Sequence, residues 1–346
     1  MLRAVEDAVR QRGWSFEAVF MEFAAERPWY AELEADGMTV RIAPAAGRRA
    51  LTSWVDDLLG ERNEPTLLHT HFTAFDIPAV MAARRHDRVA VIWHLHSRLQ
   101  SNPSAVLRNT LKLALAGRRT DAILCVSEDT RMVARRRLGP DSRLVTFPNA
   151  IDLERFRPAA TAEERERSRA QLGVPAGIPL LVHFGWDWER KGGDLFLSTV
   201  KELSHSEPAA IGVSVGGGDR ARARSARLGL GDQVLVLEPT DDVRGLYSAA
   251  DVFVSPSKAE GMPYAVLEAL CTGTPAVVSD IPSHVPLAEQ IAGCTLAESQ
   301  PQAFAEAIRR TLSAHDDHPV DVTPLLESLD LHGWASRLTD LYAEIG

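Results

Sequence analysis

The chain has 346 residues, 45% hydrophobic and 25% charged, and a net charge of −9 from 38 Lys/Arg against 47 Asp/Glu. That length exceeds what one hydrophobic core usually serves, so two domains are expected. Three cysteines (Cys125, Cys271, Cys294) without CxxC spacing argue against a disulfide framework or structural zinc site. With no bilayer-length apolar run and no charged-then-apolar leader, a cytoplasmic protein, at most peripheral to a membrane, is expected.

Met1 leads directly into an amphipathic pattern, with Leu2, Val5, Ala8 and Val9 on one face and Gly13 ending it. A doubly wound domain ordinarily opens with a strand and a glycine turn ahead of such a helix. We therefore expect the first domain to lack that strand, leaving its two neighbours unpartnered unless another chain completes the sheet. Strand patterns follow at Phe16–Phe20, Met38–Ile42, Thr66–His69, Val89–His94, Ala122–Val126 and Arg143–Phe147. Helical patterns lie between them, for example Trp54–Gly60 and Ser104–Arg119. The latter reads as a core-packed helix or as one touching a membrane surface. A Pro-Asn turn and the charged helix Thr161–Gln171 read as an interdomain connector.

Strands resume at Pro179–Phe184, Ile211–Val215, Gln233–Leu237, Val252–Ser255 and Ala276–Ser279, and a helix is expected at Leu331–Ile345, packing back toward the first domain. The alternation predicts an α/β chain of two Rossmann-like parallel-sheet domains, 1–150 and 175–330, facing across a cleft. Ligand sites then form beyond the strands' C-terminal ends. Residues 1–158 hold about 23 Lys/Arg against about 20 Asp/Glu, the rest about 15 against about 27. The basic excess reads as a solvated face, or as one that meets an anionic acceptor or lipid surface.

The chemistry concentrates in the second half. In Ala250–Pro282 a strand ends near Val254, and Pro263 is expected at the first helical position. The backbone N–H groups of Gly261 and Met262 and the helix dipole then suit a phosphate or a sugar hydroxyl. Glu260 and Glu268 flank that end and can accept hydrogen bonds from opposite ends of an elongated ligand. At a second strand end, HFGWDWERKGGD (His183–Asp194), Arg190 and Lys191 stand beside a glycine pair, as a diphosphate requires. Trp186 and Trp188 are candidates for stacking on a base or sugar, or for core and rim packing. Val215–Asp219 (VGGGD) is a third glycine turn, without full GxGxxG spacing, which disfavours a nicotinamide oxidoreductase. His69-x-His71 and His94-x-His96 each put two imidazoles on one face of a strand end. We find no HExxH, Asp-x-Asp or further ligand at suitable spacing, and expect no metal or cofactor.

These residues resemble the retaining family-4 glycosyltransferases (glycosyl transferases group 1), which have the GT-B fold. The Glu-x7-Glu motif matches at Glu260 and Glu268 and the phosphate cation at Lys191. Asp251-Val-Phe-Val-Ser-Pro-Ser, Gly273-Thr-Pro-Ala-Val-Val-Ser-Asp and Pro148-Asn-Ala-Ile-Asp also match. The resemblance implies metal-independent transfer of a sugar from a nucleotide-sugar to a carbohydrate, lipid-linked or small-molecule acceptor; nucleic acid is not an expected partner. It implies donor contacts from Gly185, Trp186, Arg190, Lys191, Glu260, Gly261, Met262, Pro263 and Glu268. Glu260 would meet the donor sugar, Glu268 the ribose and Arg190/Lys191 the diphosphate, while His96 and Asn149 would lie on the acceptor side. The catalytic set is thus Glu260, His96, Arg190 and Lys191. The family commonly has Gly-Arg where this chain has Gly185-Trp186. A non-catalytic, degenerate transferase that binds nucleotide-sugar or supports an active subunit is the alternative reading.

Overall fold

The computed structural model describes all residues except 45–46, 72, 97–102, 140–142, 159–160, 206–209 and 315–319. In chain order the first elements are α1 (Leu2–Gln11), β1 (Ala18–Met21), α2 (Pro28–Ala35), β2 (Val40–Ala43), α3 (Arg48–Gly60), β3 (Thr66–Thr70) and α4 (Thr73–Ala83). Then come β4 (Val89–Leu95), α5 (Pro103–Leu115), β5 (Ala122–Cys125), α6 (Glu128–Leu138), β6 (Leu144–Thr146), α7 (Ala162–Gln171), β7 (Leu180–Phe184), α8 (Gly193–Leu203), β8 (Ile211–Val215) and α9 (Gly218–Leu228). The remainder is β9 (Val234–Leu237), α10 (Val243–Ala249), β10 (Val252–Ser255), α11 (Tyr264–Cys271), β11 (Ala276–Ser279), α12 (Val285–Gln290), β12 (Cys294–Ala297), α13 (Pro301–Ala314), α14 (Leu326–Leu329) and α15 (Leu331–Ile345). Two compact units result, one of residues Met1–Ala150 with Asp330–Gly346, the other of Ile151–Leu329.

The second unit is a six-stranded parallel sheet in the order β12-β11-β10-β7-β8-β9. β7, β10 and β11 are buried along their whole length, as continuous apolar strands covered on both faces must be. Successive side chains point to opposite faces. Leu180, Val182 and Phe184 join one core with Leu246 and Leu267, while Leu181 joins the other with Phe196 and Phe304. The chain steps outward from β7 to β9, then restarts on the other side at β10, so the strand order reverses between β7 and β10. The charged helix α7 belongs to this unit, correcting its reading as a connector. Arg165 and Arg169 both grip Asp251, at 2.5 and 3.0 Å, and Arg169 also donates to the carbonyls of Ala249, Pro175 and Ile178.

In the first unit β3-β4-β5-β6 form one parallel sheet and β1-β2 another. Leu67, Ile92 and Leu124 pack with α1 and α15 through Val5, Trp334 and Leu338. Leu68, Trp93 and Ile123 face the other way, among Ala79 and Ala83 of α4, and Leu68 also meets Val55 of α3. Helices therefore cover both faces of the layer. α15 is anchored by Trp334 Nε1–H, which donates to the Pro148 carbonyl at 2.7 Å. Between the two sheets lies a cavity of about 1300 Å³, lined by β1, β3, α1, α3 and α15.

Candidate active site

Crevices beyond the strands' C-terminal ends at a reversal of strand order are where open α/β sheets bind ligands. In the second unit that place is shared by the loop after β7, carrying Gly185–Lys191, and the loop after β10, carrying Pro256–Met262. Lys258 N–H donates to the Arg190 carbonyl at 2.8 Å, fastening one loop to the other. The glycine pair makes this approach feasible. Gly192 has φ +71°, and a Cβ there would stand 2.0 Å from the Pro256 carbonyl oxygen; one on Gly193 would stand 2.3 Å from the Trp188 ring. His183, buried beneath the loop, donates from Nε2 to the Lys191 carbonyl at 3.1 Å. Burial holds its pKa down at about 4, so it is a neutral orienting group near pH 7.

These loops converge on one carboxylate. Lys191 Nζ lies 2.7 Å from Glu260 Oε1, and Arg190 Nη1 lies 2.9 Å from Oε2. Arg190 Nε also meets Asp187 at 2.8 Å. The carboxylate and the two cations that the sequence suggested for separate duties are thus mutual partners. Any diphosphate drawn to Lys191 and Arg190 must compete with Glu260 for them. Lys191 Nζ additionally sits 5.4 Å above the Trp186 ring, a cation–π distance.

A cavity of about 230 Å³ opens beside this cluster, lined by Trp186, Lys191, Glu260, Met262, Tyr264, Ala265 and Glu268. Five of these were named from the sequence. Gly185, Arg190, Gly261 and Pro263 lie in the same loops without lining it. Pro263 caps α11 rather than opening it, because the helix starts at Tyr264. Tyr264 and Ala265 were missed, as was Tyr247 on α10, whose hydroxyl donates to Glu268 Oε2 at 2.9 Å. Burial raises the Glu268 carboxyl above its usual range, while the Tyr247 hydrogen bond, Arg155 and Lys191 pull it back. Trp186 is 54% exposed and Trp188 7%, so only the first is available to a ligand. The VGGGD turn has Gly216 and Gly218 at φ +74° and +53°, and it does not line this cavity.

In the first unit the four histidines form one stack. Ring centroids are 4.2 Å apart for His69 and His71, and 4.1 Å for His94 and His96. His71 Nδ1 and His96 Nε2 share a hydrogen bond of 2.8 Å, and His69 Nδ1 meets the Tyr342 hydroxyl at 2.5 Å. Burial and the neighbouring imidazoles push all four toward neutrality, His71 to about 3 and His96, by burial, to about 4. Among the described residues, His69, His71 and His94 are the group whose nitrogens lie close enough, within 4.8 Å, to share a cation. The His69 and His94 rings lie within 8° of parallel, while His71 is tilted by 35° and 40° from them. Asn149 is buried, at 1% exposure.

The sequence family described as Glycosyltransferase Family 4 matches residues 19–155, and that described as Glycosyl transferases group 1 matches residues 178–314. The two matches together span most of the chain, which belongs to the group 1 glycosyltransferase family. It is 28% identical over 228 residues to the UDP-Gal:alpha-D-GlcNAc-diphosphoundecaprenol alpha-1,3-galactosyltransferase of Escherichia coli, covering 62% of this chain and 58% of the relative. It is 26% identical over 365 residues to D-inositol 3-phosphate glycosyltransferase 1 of Catenulispora acidiphila, covering 94% and 84% respectively. Against the teichuronic acid biosynthesis glycosyltransferase TuaC of Bacillus subtilis, described as putative, it is 30% identical over 249 residues and spans 61% of that protein's length. The structure of Anabaena HepE in complex with UDP and glucose superposes with a TM-score of 0.80 at 17% identity, covering 99% of this chain and 95% of the other. The fold is GT-B.

On this glycosyltransferase α5 shows two characters. Leu113 is buried, whereas Leu107, Leu111 and Leu115, four residues apart and hence on one face, are 63%, 50% and 67% exposed. Arg108 and Arg119 are exposed alongside them. Among the described residues no helix is long and apolar enough to cross a membrane.

Proposed function

We propose that this chain transfers a sugar from a nucleotide-diphosphate sugar to an acceptor hydroxyl, with retention of anomeric configuration and without a metal ion. The observation that carries this reading is the clamp of Arg190 and Lys191 on Glu260, beside a cavity that also holds Glu268, where the strand order reverses. The diphosphate takes Lys191 and Arg190 over from Glu260, whose carboxylate then accepts hydrogen bonds from the donor sugar. Glu268 accepts from the ribose, and Gly185, Trp186, Gly261, Met262 and Pro263 frame the donor. The acceptor oxygen bonds to the anomeric carbon as that carbon's bond to the phosphate oxygen breaks. The acceptor proton passes to the leaving diphosphate on the same face, so no protein base is needed. Lys191 and Arg190 stabilise the charge that develops there.

His96 and Asn149 serve the acceptor side, where a neutral imidazole can hydrogen-bond a hydroxyl. The Escherichia coli relative's name includes both UDP-Gal and a lipid-linked diphosphate, which supports a nucleotide-sugar donor. The exposed leucine stripe of α5, with its flanking arginines, suits approach to an anionic bilayer that carries such an acceptor. The test is a screen of UDP- and GDP-sugars for nucleoside diphosphate release, with proton NMR of the product and with EDTA present. Product of the donor's own anomeric configuration, formed undiminished in EDTA, supports the proposal. An inverted product, or turnover that EDTA abolishes, overturns the corresponding clause.

A further inference from the structure

The two histidine pairs of the sequence meet across one strand boundary. β3 and β4 are parallel neighbours with His69 beside Ile92. Two residues further along, His71 stands beside His94, with ring centroids 5.4 Å apart, and the His69 and His94 centroids are 5.3 Å apart. The second pair thereby supplies the third ligand that the first lacks. The three imidazoles offer nitrogens that all lie within 4.8 Å of one another. Unpartnered nitrogens mark the same place. His69 Nε2 is shielded from solvent, and among the described residues it has no hydrogen-bond partner. His94 is 3% exposed and neither of its ring nitrogens is partnered; the Phe147 main chain comes near without reaching hydrogen-bond geometry. Buried polar atoms left so are rare and call for an unseen partner. The other nitrogens are engaged as those of metal ligands are. His69 Nδ1 can donate to the Tyr342 hydroxyl, and His71 Nδ1 to His96 Nε2, each leaving its own Nε2 with a free lone pair.

We propose that His69, His71 and His94 form a three-histidine site for one zinc-class divalent cation in the first unit, with a water as fourth ligand. Imidazole donors suit Zn²⁺, Co²⁺ and Ni²⁺, whereas Mg²⁺ and Ca²⁺ call for oxygen. Burial keeps these rings neutral, the form that coordinates a metal. With bonds of about 2.0–2.1 Å, tetrahedral geometry sets ligand nitrogens about 3.3 Å apart. Closing to that from at most 4.8 Å asks each ring to shift by less than about 1 Å. His69 and His71 also line the large cavity, which gives an ion its entry and a water its place. Tyr342 belongs to α15, so a bound ion fastens that helix to the end of β3. The site is separate from the transfer proposed above, which proceeds with or without this ion.

The experiment uses the full chain, freed of metal by a chelator and dialysis, with Co²⁺ alone as the probe. Visible absorption reads Co²⁺ coordination directly, and Zn²⁺ should displace it because Zn²⁺ binds such donors more tightly. The expected result is one Co²⁺ per chain with the intense visible bands of a low-coordinate site. Zn²⁺, but not Mg²⁺, should raise the thermal unfolding temperature. His94→Gln should weaken Co²⁺ binding by at least about a hundredfold. Tyr342→Phe, which removes only an orienting partner, should weaken it about ten- to a hundredfold. The exposed His205→Asn and His332→Asn should leave it unchanged. Should His94→Gln fail to fold, His71→Asn, at a less buried ring, carries the same expectation. Absence of the visible bands, or bands that persist when His94 or His71 is replaced in a folded chain, overturns the proposal. Loss of binding in the exposed-histidine variants also overturns it, since the ion is then an adventitious ion only. None of these readouts depends on glycosyl transfer, so they stand whichever way the donor assay falls.

Discussion

Lys191 Nζ lies 2.7 Å from Glu260 Oε1, and the two side chains are only 12% and 7% exposed. A pair so shielded is held by mutual need, because removing one partner leaves the other charge buried and uncompensated. With Arg190 on the second carboxylate oxygen, Glu260 acts as an internal stand-in for an anion.

Glu260→Gln therefore separates binding from turnover. Without the competing carboxylate, nucleoside diphosphate should bind more tightly than to the wild-type chain. Sugar transfer should fall tenfold to a hundredfold, since a charge-assisted hydrogen bond is worth about 1.5–3 kcal/mol. Calorimetry and a diphosphate-release assay on the same preparation check both signs. Weaker binding with unchanged turnover would reverse the assignment.

Gly192→Ala tests the loop geometry. The added methyl meets the Pro256 carbonyl at 2.0 Å, and φ of +71° is strained for any L side chain. The fastening of the two loops must yield, costing at least 1 kcal/mol. Thermal unfolding of the variant should move down, and nucleoside diphosphate binding should weaken with it. An unchanged melting temperature would show that the loops are not held as described.

Much of this was legible in the sequence because the signals were local. Eleven strands announced themselves by apolar runs, and Glu260, Glu268, Arg190 and Lys191 stood beside glycines and strand ends. β12 escaped because CTLA has a single β-branched residue. α7 was misplaced because its packing is ionic; the Arg165 and Arg169 grip on Asp251 leaves no mark on an apolar pattern. Tyr247 reaches Glu268 from a different helix, and no local spacing reports such a contact. The partnership of Glu260 with the cations likewise depends on two loops about seventy residues apart folding onto one another.

The histidine stack makes the first unit acid-sensitive. His71 and His96 are held near 3 and 4 in the folded chain, whereas an unfolded histidine takes its proton near 6.5. Between those values the unfolded chain binds more protons, so stability falls as pH falls. Each histidine contributes a slope of up to about 1.4 kcal/mol per pH unit. Thermal unfolding followed from pH 7.5 to 5 should show the first unit losing stability, and His71→Asn should flatten that dependence. An identical slope in the variant would remove His71 as a cause.

Leu111→Glu places a charge in the middle of the exposed α5 stripe. It should reduce sedimentation of the chain with phosphatidylglycerol-containing vesicles at least fivefold and leave thermal unfolding within about 0.5 kcal/mol, as for other surface changes. Equal sedimentation of both proteins would show that α5 does not meet the bilayer.

On the proposed function, Lys191 and its neighbours hold a nucleoside diphosphate. The most direct measurement is calorimetric titration of UDP, GDP, uridine and guanosine into the wild-type chain and into Lys191→Ala. At least one diphosphate should bind more tightly than its bare nucleoside. Lys191→Ala should erase most of that advantage while leaving nucleoside binding nearly unchanged. No binding of either diphosphate, or an equal loss for diphosphate and nucleoside in the variant, would contradict it.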